Sequence, residues 1–77
     1  MPTLLIGDGF KFFFYANEHE PKHVHVAKAE DYAKVELSTF RVVSNCMRPK
    51  DLKKALQILR ENNDTFEAKW DDWFSQR

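Results

Sequence analysis

From Pro49 onward the chain carries one uninterrupted apolar repeat: Leu52, Leu56, Leu59, Asn63, Phe66, Trp70 and Trp73 follow one another at alternating steps of four and three. That spacing places all seven on one face of a helix, and Ala55, Ile58 and Phe74 widen the stripe. Pro49 suits the first helical position and Asp51 falls at N3, although Arg48 occupies the N-cap, where Ser or Asp is preferred. A helix over 49–75 is roughly 40 Å long at 1.5 Å per residue, whereas a strand of about six residues spans only ~20 Å. The helix must therefore overhang whatever sheet the preceding residues build. The aromatics toward its end, Phe66, Trp70, Trp73 and Phe74, need a cover. It can come from the first hairpin, from a bend at Asn62-Asn63-Asp64, or from another chain, a small protein partner or a second copy. Asn63 within the apolar seam would suit a partner helix as a register-setting residue.

The residues before the helix read as strands. Met1 to Ile6 is a short apolar strand, and Gly7-Asp8-Gly9 supplies a tight turn with the residue types that tolerate positive φ. Phe10 to Tyr15 is an aromatic return strand, followed by a loop over 16–22. His23 to Lys28 and Tyr32 to Leu37 alternate with period two around Ala29-Glu30-Asp31, a second hairpin, and Arg41-Val42-Val43 is a candidate fifth strand. The expectation is a single α+β domain over 1–77. A mainly antiparallel sheet of four to five strands, over about 1–43, packs on one long C-terminal helix over about 49–75.

Composition narrows the function classes. No apolar run approaches the roughly 20 residues of a membrane span, and Met1 to Ile6 lacks the basic and long apolar regions of a secretory signal. A single cysteine, Cys46, with no Cys-x-x-Cys pattern, excludes an intrachain disulfide and fits a reducing, cytoplasmic compartment. No histidine neighbours it in sequence, so it reads as a buried or incidental thiol. There is no P-loop, and Gly7-x-Gly9 lacks the third glycine of a dinucleotide site.

Twelve basic residues balance twelve acidic ones, but not locally. Residues 1–40 carry four lysines against six carboxylates, residues 41–60 six basic side chains against Asp51 alone, and residues 61–77 two against five. The basic segment, with Arg48, Lys50, Lys53 and Lys54 at the helix start, is either a solvated helix face or a surface for an anion or nucleic acid beside the positive end of the helix dipole.

All three histidines fall within seven residues, His19, His23 and His25. In a strand His23 and His25 share one face while Val24 and Val26 share the other with Phe12, Phe14, Val35 and Leu37, under the helix. Lys11, Phe13, Tyr15, His23, His25, Lys34 and Glu36 then share the open face. Four readings compete there. His19, His23 and His25 can form a three-nitrogen site for a divalent metal such as zinc, with Glu18, Glu20 or Glu36 as oxygen ligand or support. His23 and His25 can act as a catalytic general acid and base on a phosphodiester. The face can bind RNA or DNA, Phe13 and Tyr15 stacking bases while Lys11, Lys34 and the histidines meet phosphates. Or the histidines are exposed polar residues packed across the wet face of the sheet.

The string His19-Glu20-Pro21-Lys22-His23-Val24-His25-Val26, set between Gly9-Phe10-Lys11-Phe12-Phe13-Phe14-Tyr15 and Lys34-Val35-Glu36-Leu37 and followed by a helix ending in Trp70, Trp73 and Phe74, resembles the bacterial domain-of-unknown-function family 4160. The likeness covers essentially the whole chain, with departures at Lys22, where a second proline is usual, and at Arg48, where a serine cap is usual. It implies a small protein associated with a partner in a toxin–antitoxin-like pair. On this reading the chain is a binding or regulatory module that acts with a protein partner and contacts nucleic acid; the alternative is a ribonuclease-type toxin working through the histidine cluster.

Overall fold

A computed structural model describes residues 3–15 and 21–75. Five strands, β1 (Thr3–Gly7), β2 (Phe10–Phe13), β3 (His23–Lys28), β4 (Asp31–Glu36) and β5 (Val42–Asn45), precede one helix, α1 (Pro49–Ser75). The strands pair antiparallel in chain order, β1-β2-β3-β4-β5, so the sheet is a meander with β1 and β5 at its borders. This is the expected α+β architecture with the fifth strand present.

The turns follow from local chemistry. Asp8 and Gly9 both take positive φ, 54° and 83°, which is what a two-residue hairpin turn compatible with strand twist requires. The β3–β4 turn is equally short, with Lys28 opposite Asp31, but it places Ala29 at φ 53°, where a Cβ is disfavoured. Both border strands carry a bulge, between Thr3 and Leu5 in β1 and opposite Lys34 and Val35 in β5. β2 stops pairing at Phe13, two residues short of the aromatic run.

One side of the sheet carries the core. Phe10, Phe12, Phe14, Val24, Val26, Ala33, Val35 and Leu37 are buried against Ala55, Ile58, Leu59, Phe66 and Trp70 of α1. Phe12 meets Phe66 at 5.6 Å between ring centres, and Phe14 meets Trp70 at 5.2 Å and Phe74 at 5.6 Å. The first hairpin is thus the cover for the overhanging helix end. Phe66 and Trp70, expected at a partner interface, are instead core residues, 1% and 2% exposed. Trp73 differs. It lies only about 20° around the helix from Phe66, yet it is 38% exposed, because the helix has run past the sheet by that turn. The molecule measures 36 × 22 × 21 Å, its long axis matching the helix rather than any strand.

The helix is continuous through Asn62-Asn63-Asp64, so no bend supplies the cover. Asn63 does not mark a partner helix either. Its Oδ1 accepts the Ser38 backbone N–H at 3.1 Å and its Nδ2 donates to Glu67 Oε2 at 2.7 Å. Ser38, at φ 72°, sits inside a three-residue turn closed by the Thr39 N–H to the Leu37 carbonyl at 2.8 Å, and its Oγ donates to Glu67 Oε1 at 2.7 Å. A turn with positive φ at its centre is strained, and these helix side chains hold it. Lys22 adds a clamp at the same end through Asp71 at 2.8 Å. At the other end Lys28 donates to Asp51 at 2.9 Å and lies 4.9 Å over the Phe10 ring. Cys46, expected to be buried or incidental, is exposed.

Replacing Ala29 by Gly removes the Cβ penalty at positive φ and is expected to stabilise the fold by roughly 1 kcal/mol, a rise of about 4–8 °C in midpoint for a domain of this size. Thermal unfolding monitored by circular dichroism measures it; an unchanged or lower midpoint contradicts the strain assigned to this turn.

Candidate functional site

Cross-strand register builds the open face. Phe13 pairs with His25, His25 with Lys34 and Lys34 with Ser44, so these four form one row across β2 to β5. Lys11, Ala27 and Tyr32 form the neighbouring row, and His23 lies opposite Glu36 on the other side. The candidate residues of the face, Lys11, Phe13, Tyr15, His23, His25 and Lys34, are therefore neighbours. The face is not uniformly wet, however. Both histidines are 5% exposed and Phe13 is also buried, so the reading of His23 and His25 as exposed polar residues is corrected.

His25 is enclosed by rings. Phe13 lies at 5.4 Å and 22° to it, Tyr32 at 5.7 Å and 27°, and Tyr15 meets it edge-on at 4.7 Å. Three near-parallel rings thus cross β2, β3 and β4, with Tyr15 also edge-on to Phe13 at 5.6 Å. Its Nδ1 is 2.8 Å from the Tyr32 hydroxyl, a bond either group can donate. His23 is held differently. Its Nδ1 is 2.8 Å from the Pro21 carbonyl, which can only accept, so Nδ1 carries the hydrogen. In the neutral ring Nε2 then carries the lone pair, and it is the atom with which this imidazole takes a proton or meets a metal. The two imidazole rings are 5.3 Å apart, and His23 also lies 5.2 Å from Trp70.

Lys11 lies 5.5 Å over Phe13. Tyr15, half exposed at 47%, is the ring of this group most open to solvent. Ile6, paired with Lys11 at the border of the same face, is 72% exposed.

His19 and the carboxylates Glu18 and Glu20 of the expected metal set lie outside the described residues. Among the described residues no three His, Cys, Asp or Glu side chains are grouped to hold a metal ion. Glu36, the remaining oxygen candidate, is engaged by Arg41 at 3.4 Å and Thr39 at 3.3 Å.

The structure separates the expected nucleic-acid residues into two places. Lys11, Phe13, Tyr15 and Lys34 belong to the open face, whereas Arg48, Lys50, Lys53 and Lys54 lie at the start of α1, on the sheet's other side. There a shallow cavity of about 410 Å³ is lined by Lys28, Ala29, Asp31, Arg48, Lys50 and Asp51. Asp31 and Asp51 offset much of its positive charge. Of the expected interface aromatics, Phe74 is partly buried against Phe14 and Trp70, and Trp73 keeps a substantial exposed surface.

Sequence reasoning missed Tyr32 and Ile6. A two-residue β3–β4 turn carries the signal for the first, since it sets Tyr32 diagonally across from His25.

The arrangement defines a small α+β domain whose sheet is covered on one side by a single helix and bears a histidine–aromatic cluster on the other. The chain belongs to the family described as Domain of unknown function (DUF4160), which it matches over residues 9–71, a span holding the cluster and all of the helix but its last turn. No curated protein and no solved structure matches it. Among the described residues, no helix is long and apolar enough to cross a membrane.

Replacing Tyr32 by Phe keeps the stacked ring and removes the hydroxyl facing His25 Nδ1. It is expected to cost about 1 kcal/mol of stability and to change the ring-nitrogen signals of His25 in heteronuclear NMR. Unaltered His25 signals would show that this bond does not set the ring's state.

Proposed function

We propose that the chain is a non-enzymatic binding module whose open sheet face takes single-stranded nucleic acid, and that it works with a small protein partner in a toxin–antitoxin-like pair. The observation that carries the first part is Tyr15. Its ring is half exposed yet pinned edge-on by Phe13 and His25, so it offers a flat apolar surface at little further cost in side-chain freedom. Lys11 and Lys34 stand on the same face to meet phosphates. Base stacking on such a ring is worth about 1–3 kcal/mol and tolerates any sequence. A duplex, whose bases are already stacked, gains nothing from it. The second part draws on Trp73, exposed beside Asp71 and Asp72 where the helix overruns the sheet. An exposed indole of this kind suits a protein interface.

Fluorescence anisotropy with a labelled 12-nucleotide RNA tests the nucleic-acid reading: Tyr15→Ala is expected to weaken single-strand binding by about 1–3 kcal/mol and to leave the weak duplex signal alone. Equal binding of single strand and duplex by the unaltered protein would sink it. For the partner, native mass spectrometry after co-expression with the adjacent reading frame should give a complex that Trp73→Ala weakens; a monomer throughout would remove this part.

A second reading, a ribonuclease-type activity, is favoured by one detail. The Pro21 carbonyl at 2.8 Å fixes the His23 tautomer, with the hydrogen on Nδ1, and the His25 ring lies 5.3 Å from it, so two imidazoles stand together as an acid–base pair requires. It predicts RNA cleavage that His23→Ala abolishes.

A further inference from the structure

The nucleic-acid reading fixes a chemistry but no length, and the register of the sheet supplies one. Lys11 stands on β2 and Lys34 on β4, two strands and one row of residues apart. With strands about 4.8 Å apart and rows about 7 Å apart, the two lysines anchor roughly 12 Å from one another along a diagonal of the face. A single strand drawn out to about twice its 3.4 Å stacked rise sets successive phosphates roughly 7 Å apart. The lysines therefore match phosphates about two steps apart.

What lies between them is suited to a base. The diagonal passes over Ala27, whose methyl leaves the face low, and beside the His25 ring against which Tyr15 leans at 4.7 Å. What lies outside them is not. Beyond Lys34 along β4 comes Glu36, a carboxylate that repels a phosphate and is only partly offset by the largely exposed Arg41 at 3.4 Å. Beyond Lys11, at the border strand, comes Ile6, 72% exposed and apolar. It can touch a terminal base but not a phosphate.

Resting on the nucleic-acid reading above, we infer that the open face holds a run of two to three unpaired nucleotides, phosphates at Lys11 and Lys34 and the intervening base on Tyr15. The basic start of α1, across the sheet, lies off this path.

The test uses the full chain, labelled with ¹⁵N and titrated with oligouridylates and oligothymidylates of one to eight nucleotides at several salt concentrations. The expected result is an affinity that rises up to three nucleotides and then stays level apart from the number of equivalent registers. The logarithmic salt slope should be near −1.4, about 0.7 per phosphate for two phosphates. Lys11→Ala and Lys34→Ala, changes at half-buried positions whose variants are first checked against the spectrum of the folded protein, should each reduce that slope by about half. An affinity still climbing tenfold between four and eight nucleotides, with a slope insensitive to either change but removed by Lys53→Glu with Lys54→Glu, would overturn the short site and move the binding to the helix start while keeping nucleic acid as ligand. If no oligomer shifts the Tyr15 and His25 signals even at low salt, the open-face reading itself fails.

Discussion

The contact between Phe14 and Trp70 holds together two things that the chain otherwise lacks the length to join. A helix of 27 residues is nearly twice as long as the sheet beneath it, and its far end would leave an indole in water. Phe14, one residue beyond the last paired position of β2, closes on that indole at 5.2 Å. In doing so it draws the end of the first hairpin to the helix side, and the next residue, Tyr15, points to the opposite side by simple alternation. The exposed ring of the open face is thus placed by a core contact. The His23–Trp70 approach and the Lys22–Asp71 pair act at the same end and hold β3 to the same stretch of helix.

The sheet's two faces show how one sequence run serves two demands. Along β3 every residue from His23 to Val26 is buried, which a plain alternation of wet and dry sides does not explain. Val24 and Val26 lose water to the helix. His25 loses it to rings of its own face, and His23 to His25 and, at the sheet's end, to Trp70 of the helix; each keeps a hydrogen-bond partner, a carbonyl for His23 and a phenol for His25. A buried imidazole without such partners would be costly. Among the described residues no buried side-chain nitrogen or oxygen lacks one.

Much of the fold was legible in the sequence because periodicity carries it. The two hairpins, the start of the helix at Pro49 and the sorting of Phe12, Phe14, Val24, Val26, Val35 and Leu37 to one side all follow from period two, period 3.6 and turn chemistry. Of the site, alternation alone placed His23, His25, Lys11 and Lys34 together. What was not legible depends on contacts distant in sequence. That Trp70 is covered while Trp73 is not depends on where the sheet ends, and that Asn63 serves Ser38 depends on a strained turn no propensity foretells. Cys46 is exposed because it follows a border strand. Tyr32 escaped because its pairing with His25 is diagonal, set by a turn one residue shorter than the one expected from Ala29-Glu30-Asp31.

The bulges in β1 and β5 have a consequence for how copies of this chain can meet. A strand at a sheet's border is a ready template for another strand, and one without charged side chains, such as Thr3–Gly7 or Val42–Asn45, invites it. An extra residue in each border strand breaks the even ladder of donors and acceptors that such a template needs. Fibril-like growth from border to border is thereby obstructed at both ends of the sheet. The protein can carry exposed apolar residues, Ile6 and Val43, on the very strands where they would otherwise be most hazardous.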